Sequence, residues 1–214
     1  QSASERQLRS LDMDSDCLST FQELLSRVIY PVTELRPSTT VLRDNVLGQS
    51  GLWRFGISGD YPMLLTIIDH QDGLHNLQEV IQAHIYWRKL GLMIDLVILN
   101  TKDTGYTHEL NERIYRLINL MESQSLVNQR GGIFILTASQ MQEEALALIK
   151  SVARVLIDVN AGSLLDHLNK AKLQKASLPS FVAVRPKDEF TSSVQFERPE
   201  NLVFDNGLGG FTMD

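Results

Sequence analysis

The chain has 214 residues, of which 43% are hydrophobic and 21% charged, so it is long enough and apolar enough to form one sizeable globular core. Its formal net charge of -6 argues against a nucleic-acid surface, which needs a basic patch to neutralise phosphates. The one cysteine, Cys17, excludes an internal disulfide and a metal site built from cysteines, and no apolar run reaches the roughly 20 residues needed to span a bilayer. The start at Gln1, without Met, suggests a piece of a longer protein.

A helix and a connector are predicted for residues 1–50. After a polar lead-in, apolar residues recur three and four positions apart from Cys17 to Tyr30, which predicts an amphipathic helix that Pro31 ends. Residues 31–50 carry two prolines and a run of hydroxyl side chains, a composition typical of an extended connector with one short helix.

Residues 51–175 alternate between apolar runs and helical patterns. The predicted strands are Met63–Ile68, Met93–Leu99 and Gly131–Thr137, and the predicted helices are Leu74–Leu90, Thr107–Glu122, Gln140 to about Val159, and Leu164 to about Leu173. Three strand–helix units in succession predict a parallel sheet with right-handed crossovers. We therefore expect a three-layer α/β fold: a short, mostly parallel sheet of three or four strands with helices on both faces. Residues 51–55 or 181–184 could supply an edge strand.

The end of the chain, residues 176–214, is rich in proline and polar residues and closes with a glycine-dense stretch from Phe204 to Phe211. This composition predicts an extended tail that leads into a following domain.

The stretch from Gly51 to Asp60 is the least ordinary part of the chain, because it holds two aromatic residues, an arginine and three glycines in ten positions. It precedes a strand and lacks the Gly-Lys-Ser/Thr ending of a phosphate-binding loop, so phosphate binding is not expected. Its Trp53 and Arg54, like Trp87 further along, suit sugar stacking and hydroxyl binding, but tryptophans also serve as core or domain-interface anchors. The sequence leaves both interpretations open.

A second candidate site lies at the carboxyl ends of the predicted strands. Ligands of open parallel sheets favour this edge, where helix N-termini also point. Here it would bring together Asp69, His70, Asn100 and Ser139, whose carboxylate, imidazole, amide and hydroxyl groups suit a polyol. Turns use the same residue types without any ligand, so an ordinary turn is the competing interpretation.

No motif for metal binding or covalent catalysis accompanies these residues. The five histidines do not combine with acids in the spacing of a zinc site, and there is no Gly-x-Ser-x-Gly nucleophile elbow. His84 lies on an apolar helical face, where a hydrogen-bonded core histidine is the preferred interpretation. We therefore predict no catalytic residue, no metal ligand and no cofactor for this chain.

Three ordered motifs nevertheless resemble those of one enzyme family. Leu47-Gly-Gln-Ser-Gly-Leu-Trp-Arg-Phe-Gly-Ile-Ser-Gly-Asp60 with Pro62, then His84-Ile-Tyr-Trp-Arg88, then Asp95-Leu-Val-Ile-Leu-Asn100 closely resemble a segment of cyclic β-1,2-glucan synthases of the NdvB type. Gly131-Gly-Ile-Phe and Asn206-Gly-Leu-Gly-Gly-Phe211 extend the similarity over most of the chain from about Tyr30.

The resemblance implies a fragment of a large bacterial inner-membrane enzyme. Such proteins combine a membrane-embedded glycosyltransferase that uses UDP-glucose with a cellobiose-phosphorylase-like part, and this segment would lie just ahead of the latter's sugar-binding β-sandwich. It would be a soluble domain on the cytoplasmic side, without membrane contact of its own. Because the family's catalytic groups belong to other domains, none is transferred to this chain.

Two functional hypotheses follow from the sequence. The first is a non-catalytic module that packs against other domains of the same polypeptide, with no nucleic-acid partner; it either contacts β-glucan as well or is a purely structural spacer without a sugar contact. Its interdomain or glucan contacts would be Trp53, Arg54, Ser58, Asp60, Trp87 and Arg88. The alternative is a small-ligand-binding or cryptic enzymatic domain with its site at Asp69, His70, Asn100 and Ser139.

Overall fold

The computed structural model describes residues 15–102, 107–173, 199, 201–207 and 209–212. The chain forms two compact units, Gln1–Lys175 and Ala176–Asp214. The first contains the α/β fold and, within the described residues, the predicted functional positions. The three-part division of the chain at residues 50 and 175 stays a prediction.

The sheet has four parallel strands: β1 (Met63–Ile68), β2 (Asp95–Asn100), β3 (Ile133–Thr137) and β4 (Val155–Asp158). Their spatial order is β3-β2-β1-β4, so the chain builds outward from β1 to β3 and then crosses back to place β4 on the other side of β1. This is a doubly wound topology whose direction reverses between β1 and β4. The predicted α/β class, with a parallel sheet and helices on both faces, is confirmed.

Helices cover both faces of the sheet because the strands alternate their apolar side chains between two cores. Leu64 and Ile68 point into the first core, whereas Met63 and Leu65 point into the second. The first core is covered by α1 (Ser15–Ile29), α3 (Leu74–Lys89), α4 (Thr107–Leu120) and α6 (Leu164–Leu173). The second core is covered by a 3₁₀ helix (Gln49–Phe55) and α5 (Glu143–Val152), against which the short α2 (Thr39–Asp44) packs.

Two local predictions are wrong. The long helix expected from Gln140 to about Val159 is the shorter α5, which ends at Val152, and Val155–Asp158 form β4. Pairing with β1 overrides the helical spacing, since Leu64 to Ile67 align with Val155 to Asp158. The edge strand expected at 51–55 is part of the 3₁₀ helix, and the alternative at 181–184 lies outside the described residues.

The second unit contains a small antiparallel pair, β5 (Leu202–Val203) and β6 (Phe211–Thr212). Among the helices that the structure describes in either unit, none is both long enough and apolar enough to cross a membrane.

Candidate functional site

The Gly51–Asp60 loop is a rigid element fixed to the second core. Its 3₁₀ helix ends at Gly56, whose φ of 74° is a left-handed conformation that favours glycine. Leu52 and Ile57 are fully buried beneath it. The Gln49 side-chain amide crosses the loop and donates to the Ser58 carbonyl oxygen at 2.9 Å and to Asp60 Oδ1 at 3.2 Å. Ser58 and Asp60 therefore hold the loop in shape.

This loop displays an aromatic ring at the surface. The side chain of Trp53 is exposed, with 64% of its residue surface accessible. Its indole N–H nevertheless donates to the Ser58 carbonyl oxygen at 3.4 Å, which restrains the ring without covering it. An exposed ring that is held in one orientation loses little conformational entropy when it stacks on a ligand.

Arg54 lies beside Trp53 and borders a surface groove. Its guanidinium lies 5.1 Å from the centroid of the Phe55 ring. The groove has a volume of about 500 Å³ and is bordered on its far side by Gln142 and Glu144, at the start of α5. Guanidinium, amide and carboxylate groups around one groove can hydrogen-bond the hydroxyl groups of a polar ligand.

Trp87 lies apart from this surface, whereas Arg88 lies close to the Gly131 backbone, where a Cβ on that glycine would be 3.2 Å from the Arg88 Nη1. Trp87 is completely buried in the first core, and its indole N–H donates to the Phe21 carbonyl oxygen at 3.2 Å. The sequence left open whether Trp87 is a sugar contact or a core residue, and the structure shows that it is a core residue. Arg88 is partly buried and its guanidinium contacts Met93 Sδ.

Several motif residues meet at the amino ends of the strands, where the sequence predicted no site. We call Asp60, His84, Asp95, Arg130 and Gly131 the amino-edge cluster. Asp60 forms an ion pair with Arg130 at 2.5 Å, and Asp95 Oδ1 accepts a hydrogen bond from the Gly131 N–H at 2.8 Å. The His84 Nε2 lies 2.9 Å from the Ile94 carbonyl oxygen and 3.2 Å from that of Gly131. The cluster thereby joins the loop to the start of β2 and β3.

The buried members of this cluster have displaced pKa values. Burial lowers the pKa of His84 to about 4, assisted by the nearby Arg88 cation and opposed by the two backbone carbonyls. Burial raises the pKa of Asp95 to about 6, assisted by the Asp60 carboxylate and opposed by the Gly131 N–H and Arg130. His84 is therefore neutral in the folded protein at pH 7, and its Nε2 carries the proton that both carbonyls require.

At the carboxyl ends of the strands, the crevice between β1 and β4 is bridged by the chain itself. Asn160, which follows β4, accepts from the Asp69 N–H at 3.0 Å and from the His70 N–H at 3.4 Å. Its side-chain amide donates to the His70 carbonyl oxygen at 3.2 Å. A Cβ at Gly73 would lie only 2.9 Å from the Asn160 side-chain amide, so the backbone packs closely here. A ligand at this topological switch point would have to displace the Asn160 side chain.

The other two predicted residues of that edge have different partners, although Asn100 pairs in register with Ile68, the residue before Asp69. The buried Asn100 side chain donates to the Thr107 carbonyl oxygen and to Asn111 Oδ1, and accepts from the Lys102 N–H. Asn111 in turn donates to Thr137 Oγ1 at 3.0 Å. Ser139 is exposed in the turn that follows β3. The Asn100 amide therefore serves to hold α4 against the sheet.

Sequence reasoning missed Asn160, Arg130 and Asp95 because their partners are distant in the chain. The Asp60–Arg130 pair is separated by 70 residues and the Asn160–Asp69 bond by 91. In the sequence, Asp95 is a carboxylate inside the otherwise apolar predicted strand Met93–Leu99, and it opens one of the motifs that carry the family resemblance. Within residues 15–102, 107–173 and the described part of the tail, no group of three or more His, Cys, Asp or Glu side chains is placed to hold a metal ion.

Comparison with known proteins tests the resemblance that the sequence motifs indicate. No protein-family model matches the chain. Among curated proteins, the chain is similar to the cyclic beta-(1,2)-glucan synthase NdvB of Rhizobium meliloti (strain 1021), with 26% identity over 221 aligned residues. The alignment covers 99% of this chain and 8% of that protein, so the chain spans a small part of its relative's length. The resemblance to cyclic β-1,2-glucan synthases that the sequence motifs indicate is therefore confirmed, and it extends along nearly the whole chain.

Proposed function

We propose that this chain is a non-catalytic α/β module of a cyclic β-1,2-glucan synthase, where it positions neighbouring domains of the same polypeptide and contacts β-glucan through Trp53 and Arg54. The observation that carries the proposal is the exposed, hydrogen-bonded indole of Trp53, next in sequence to Arg54, which borders a groove together with the polar side chains of Gln142 and Glu144. A sugar ring presents C–H groups to an aromatic face and hydroxyl groups to its surroundings, and this surface offers partners for both.

The occupied crevice between β1 and β4, at the carboxyl ends of these strands, supports the non-catalytic part of the proposal. Asn160 spans the crevice between β1 and β4, and Asn100 is committed to hydrogen bonds within the chain. The alternative, a small-ligand or enzymatic site at Asp69, His70, Asn100 and Ser139, would require these bonds to break. The proposed role uses no cofactor, no nucleic acid and no direct membrane contact. The synthase around it would be an inner-membrane protein with this module on the cytoplasmic side.

The test is a titration of the 214-residue chain with linear and cyclic β-1,2-glucans, followed by tryptophan fluorescence and amide NMR shifts. Saturable changes centred on Trp53 and Arg54 are expected. Trp53→Ala should weaken binding about tenfold or more, since a stacked aromatic pair contributes on the order of 1 kcal/mol beyond its buried area. The buried Trp87 reports in the same spectra that the fold survives.

Tyr115→Ala is the matched control, because Tyr115 is another exposed aromatic residue, 44% accessible, on α4. It should leave glucan binding unchanged. An absence of saturable shifts at millimolar glucan would reject the glucan contact. Release of glucose or glucose 1-phosphate from glucan and inorganic phosphate by the purified chain would reject the non-catalytic role.

A further inference from the structure

The edge of the sheet at β3 is covered over only part of its length by the described residues. β3 is the terminal strand of the order β3-β2-β1-β4. At its start, Val127 forms a bridge with Ile133, and the Asn128 N–H donates to the Ile133 carbonyl oxygen at 2.9 Å. Beyond Ile133, the described ranges place no further strand alongside β3.

The uncovered part presents backbone donors and acceptors. The Leu96 N–H of β2 donates to the Gly132 carbonyl oxygen at 2.8 Å. This bond determines which residues of β3 turn their backbone groups towards β2. Since alternate residues of a strand face the same neighbour, Phe134 and Leu136 bond towards β2. The N–H and C=O groups of Ile135 and the N–H of Thr137 consequently point away from β2, at the open edge.

A cavity lies against these groups. Its volume is about 280 Å³, and it is bordered by the consecutive residues Ile135, Leu136 and Thr137. Tyr115 of α4 borders it from the first face of the sheet and Met141 from the second. A cavity bordered by both layers and by three successive residues of the last strand occupies the place where a fifth strand would pair, about 4.8 Å from β3.

The two sides of this cavity differ in chemistry. On the second face it is lined by the apolar side chains of Phe55, Leu136 and Met141, which pack on the second core. On the first face it meets the Asn111 amide and the Tyr115 side chain together with Ile135, which packs on the first core. An extended chain turns successive side chains to opposite faces of a sheet, so an apolar residue followed by a polar one matches both sides.

The composition of the cavity wall favours an uncharged occupant. None of the described residues that border it carries a charged side chain. A second cavity, of about 260 Å³, shares Asn111, Tyr115 and Gln140 with the first and extends the depression along α4.

We propose that the β3 edge at Ile135–Thr137 is a docking site for an extended, uncharged peptide segment, which adds a fifth strand to the sheet and alternates apolar and polar side chains. Backbone hydrogen bonds to Ile135 and Thr137 would supply the affinity, and the Phe55–Met141 side would select one apolar side chain. An uncovered edge of this kind is otherwise a liability for aggregation, which natural sheets avoid by covering or pairing it. The proposal is independent of the glucan contact, because its readout is the Ile135 amide instead of Trp53.

The probe is a capped peptide of about nine residues that alternates threonine and valine, a length typical of a strand. Added to the ¹⁵N-labelled chain, it should cause saturable NMR shifts centred on Ile135 and Thr137 and should slow hydrogen exchange of the Ile135 amide. The same peptide with proline in place of both its central valine and the adjacent threonine should bind about tenfold more weakly or not at all. Successive residues turn their N–H groups to opposite sides, so one of the two prolines removes a donor that faces β3 in either strand direction. Equal binding of both peptides, shifts centred elsewhere, or an absence of shifts at millimolar peptide would overturn the proposal.

Ile135→Pro removes the outward N–H of β3 while sparing the bonds towards β2, and it should abolish binding of the unmodified peptide. Ile135→Val, which keeps that N–H, should bind as the parent chain does. The proline variant is checked for folding by Trp87 emission. If it fails to fold, hydrogen exchange of the parent chain shows instead whether the β3 edge is open. Protection of the Ile135 amide in the free chain would show the edge to be occupied already, by a second copy if the protection rises with protein concentration, and either result would overturn the proposal.

Discussion

Asn160 shows how one side chain decides whether a doubly wound sheet offers a ligand site. Such sheets bind ligands where the strand order reverses, outside the carboxyl ends of the two diverging strands. In this chain the reversal lies between β1 and β4, and the Asn160 amide fills that position with three hydrogen bonds to Asp69 and His70. The residue thus converts a potential binding crevice into a structural contact.

Asn160→Ala should lower the free energy of unfolding by about 1–2 kcal/mol, because it leaves two backbone N–H groups and one carbonyl without their partner at a partly solvated site. Urea denaturation followed by Trp87 fluorescence measures the change. Asn119→Ala, at an exposed position of α4, is the matched control and should change stability by less than about 0.5 kcal/mol. Equal effects of the two substitutions would contradict the role of Asn160.

His84 and Asp95 should have opposite effects on stability as the pH falls. The pKa of His84 is lowered to about 4 on folding, so the unfolded chain takes up its proton first and stability is lost between about pH 6.5 and 4. The pKa of Asp95 is raised to about 6, so the folded chain takes up that proton first and stability is gained between about pH 6 and 4. In the parent chain the two contributions nearly cancel.

Asp95→Asn should remove this cancellation. The variant should lose on the order of 3 kcal/mol of stability relative to the parent chain between pH 6.5 and 4, whereas His84→Gln should gain relative to the parent over that range. Urea denaturation at several pH values gives both profiles. Asn119→Ala, which changes no titratable group and lies at an exposed position of α4, serves as the control and should run parallel to the parent. Parallel stability profiles for all three variants would mean that folding does not shift the pKa of either His84 or Asp95 as described.

At the scale of elements, the sequence predicts the strands and helices whose pattern is set by consecutive residues. Met63–Ile68 is apolar except for Thr66, and both its position and its central place in the sheet follow from that pattern. Val155–Asp158 was absorbed into a helix because four residues fit either period, and only the pairing with β1 distinguishes them. The amino-edge cluster could not be predicted for a similar reason: it depends on the register of three strands, which sequence spacing does not contain.

The turn before β3 requires glycine at position 132, because a side chain there would clash with the backbone. A Cβ at Gly132 would lie 2.1 Å from the Leu126 carbonyl oxygen and 2.8 Å from that of Gln129, both of them backbone atoms that cannot move aside locally. Gly132→Ala should therefore displace the turn of residues 124–130 and lower the free energy of unfolding by about 2–4 kcal/mol. Gly48→Ala is the control, since nothing lies within 4 Å of the Cβ it would add. Thermal unfolding of the two variants gives the comparison, and a stable Gly132→Ala chain would refute the steric account.

At the scale of the whole first unit, α1 is part of the core instead of a lead-in to it. Phe21, Leu24 and Val28 are buried in the first core, and the Phe21 carbonyl oxygen accepts the Trp87 indole N–H across 66 residues of sequence. Phe21 also lies 6.4 Å from the Tyr86 ring, measured between centroids. Because of these contacts, we expect α1 and the rest of the first unit to unfold together as one cooperative body.

Phe21→Ala should consequently destabilise the entire unit by about 3–5 kcal/mol, the usual cost of truncating a buried phenylalanine. Fluorescence of the buried Trp87 and far-ultraviolet circular dichroism should then report one transition at the same, lower urea concentration, because α1 and the sheet unfold together. Gln22→Ala, on the exposed side of the same helix, should leave the midpoint within about 0.5 kcal/mol of the parent. Two separate transitions in the parent chain, with Trp87 becoming exposed before the helical signal is lost, would instead assign α1 to a body of its own. Such a result would restrict the cooperative core to the sheet and the helices that follow β1.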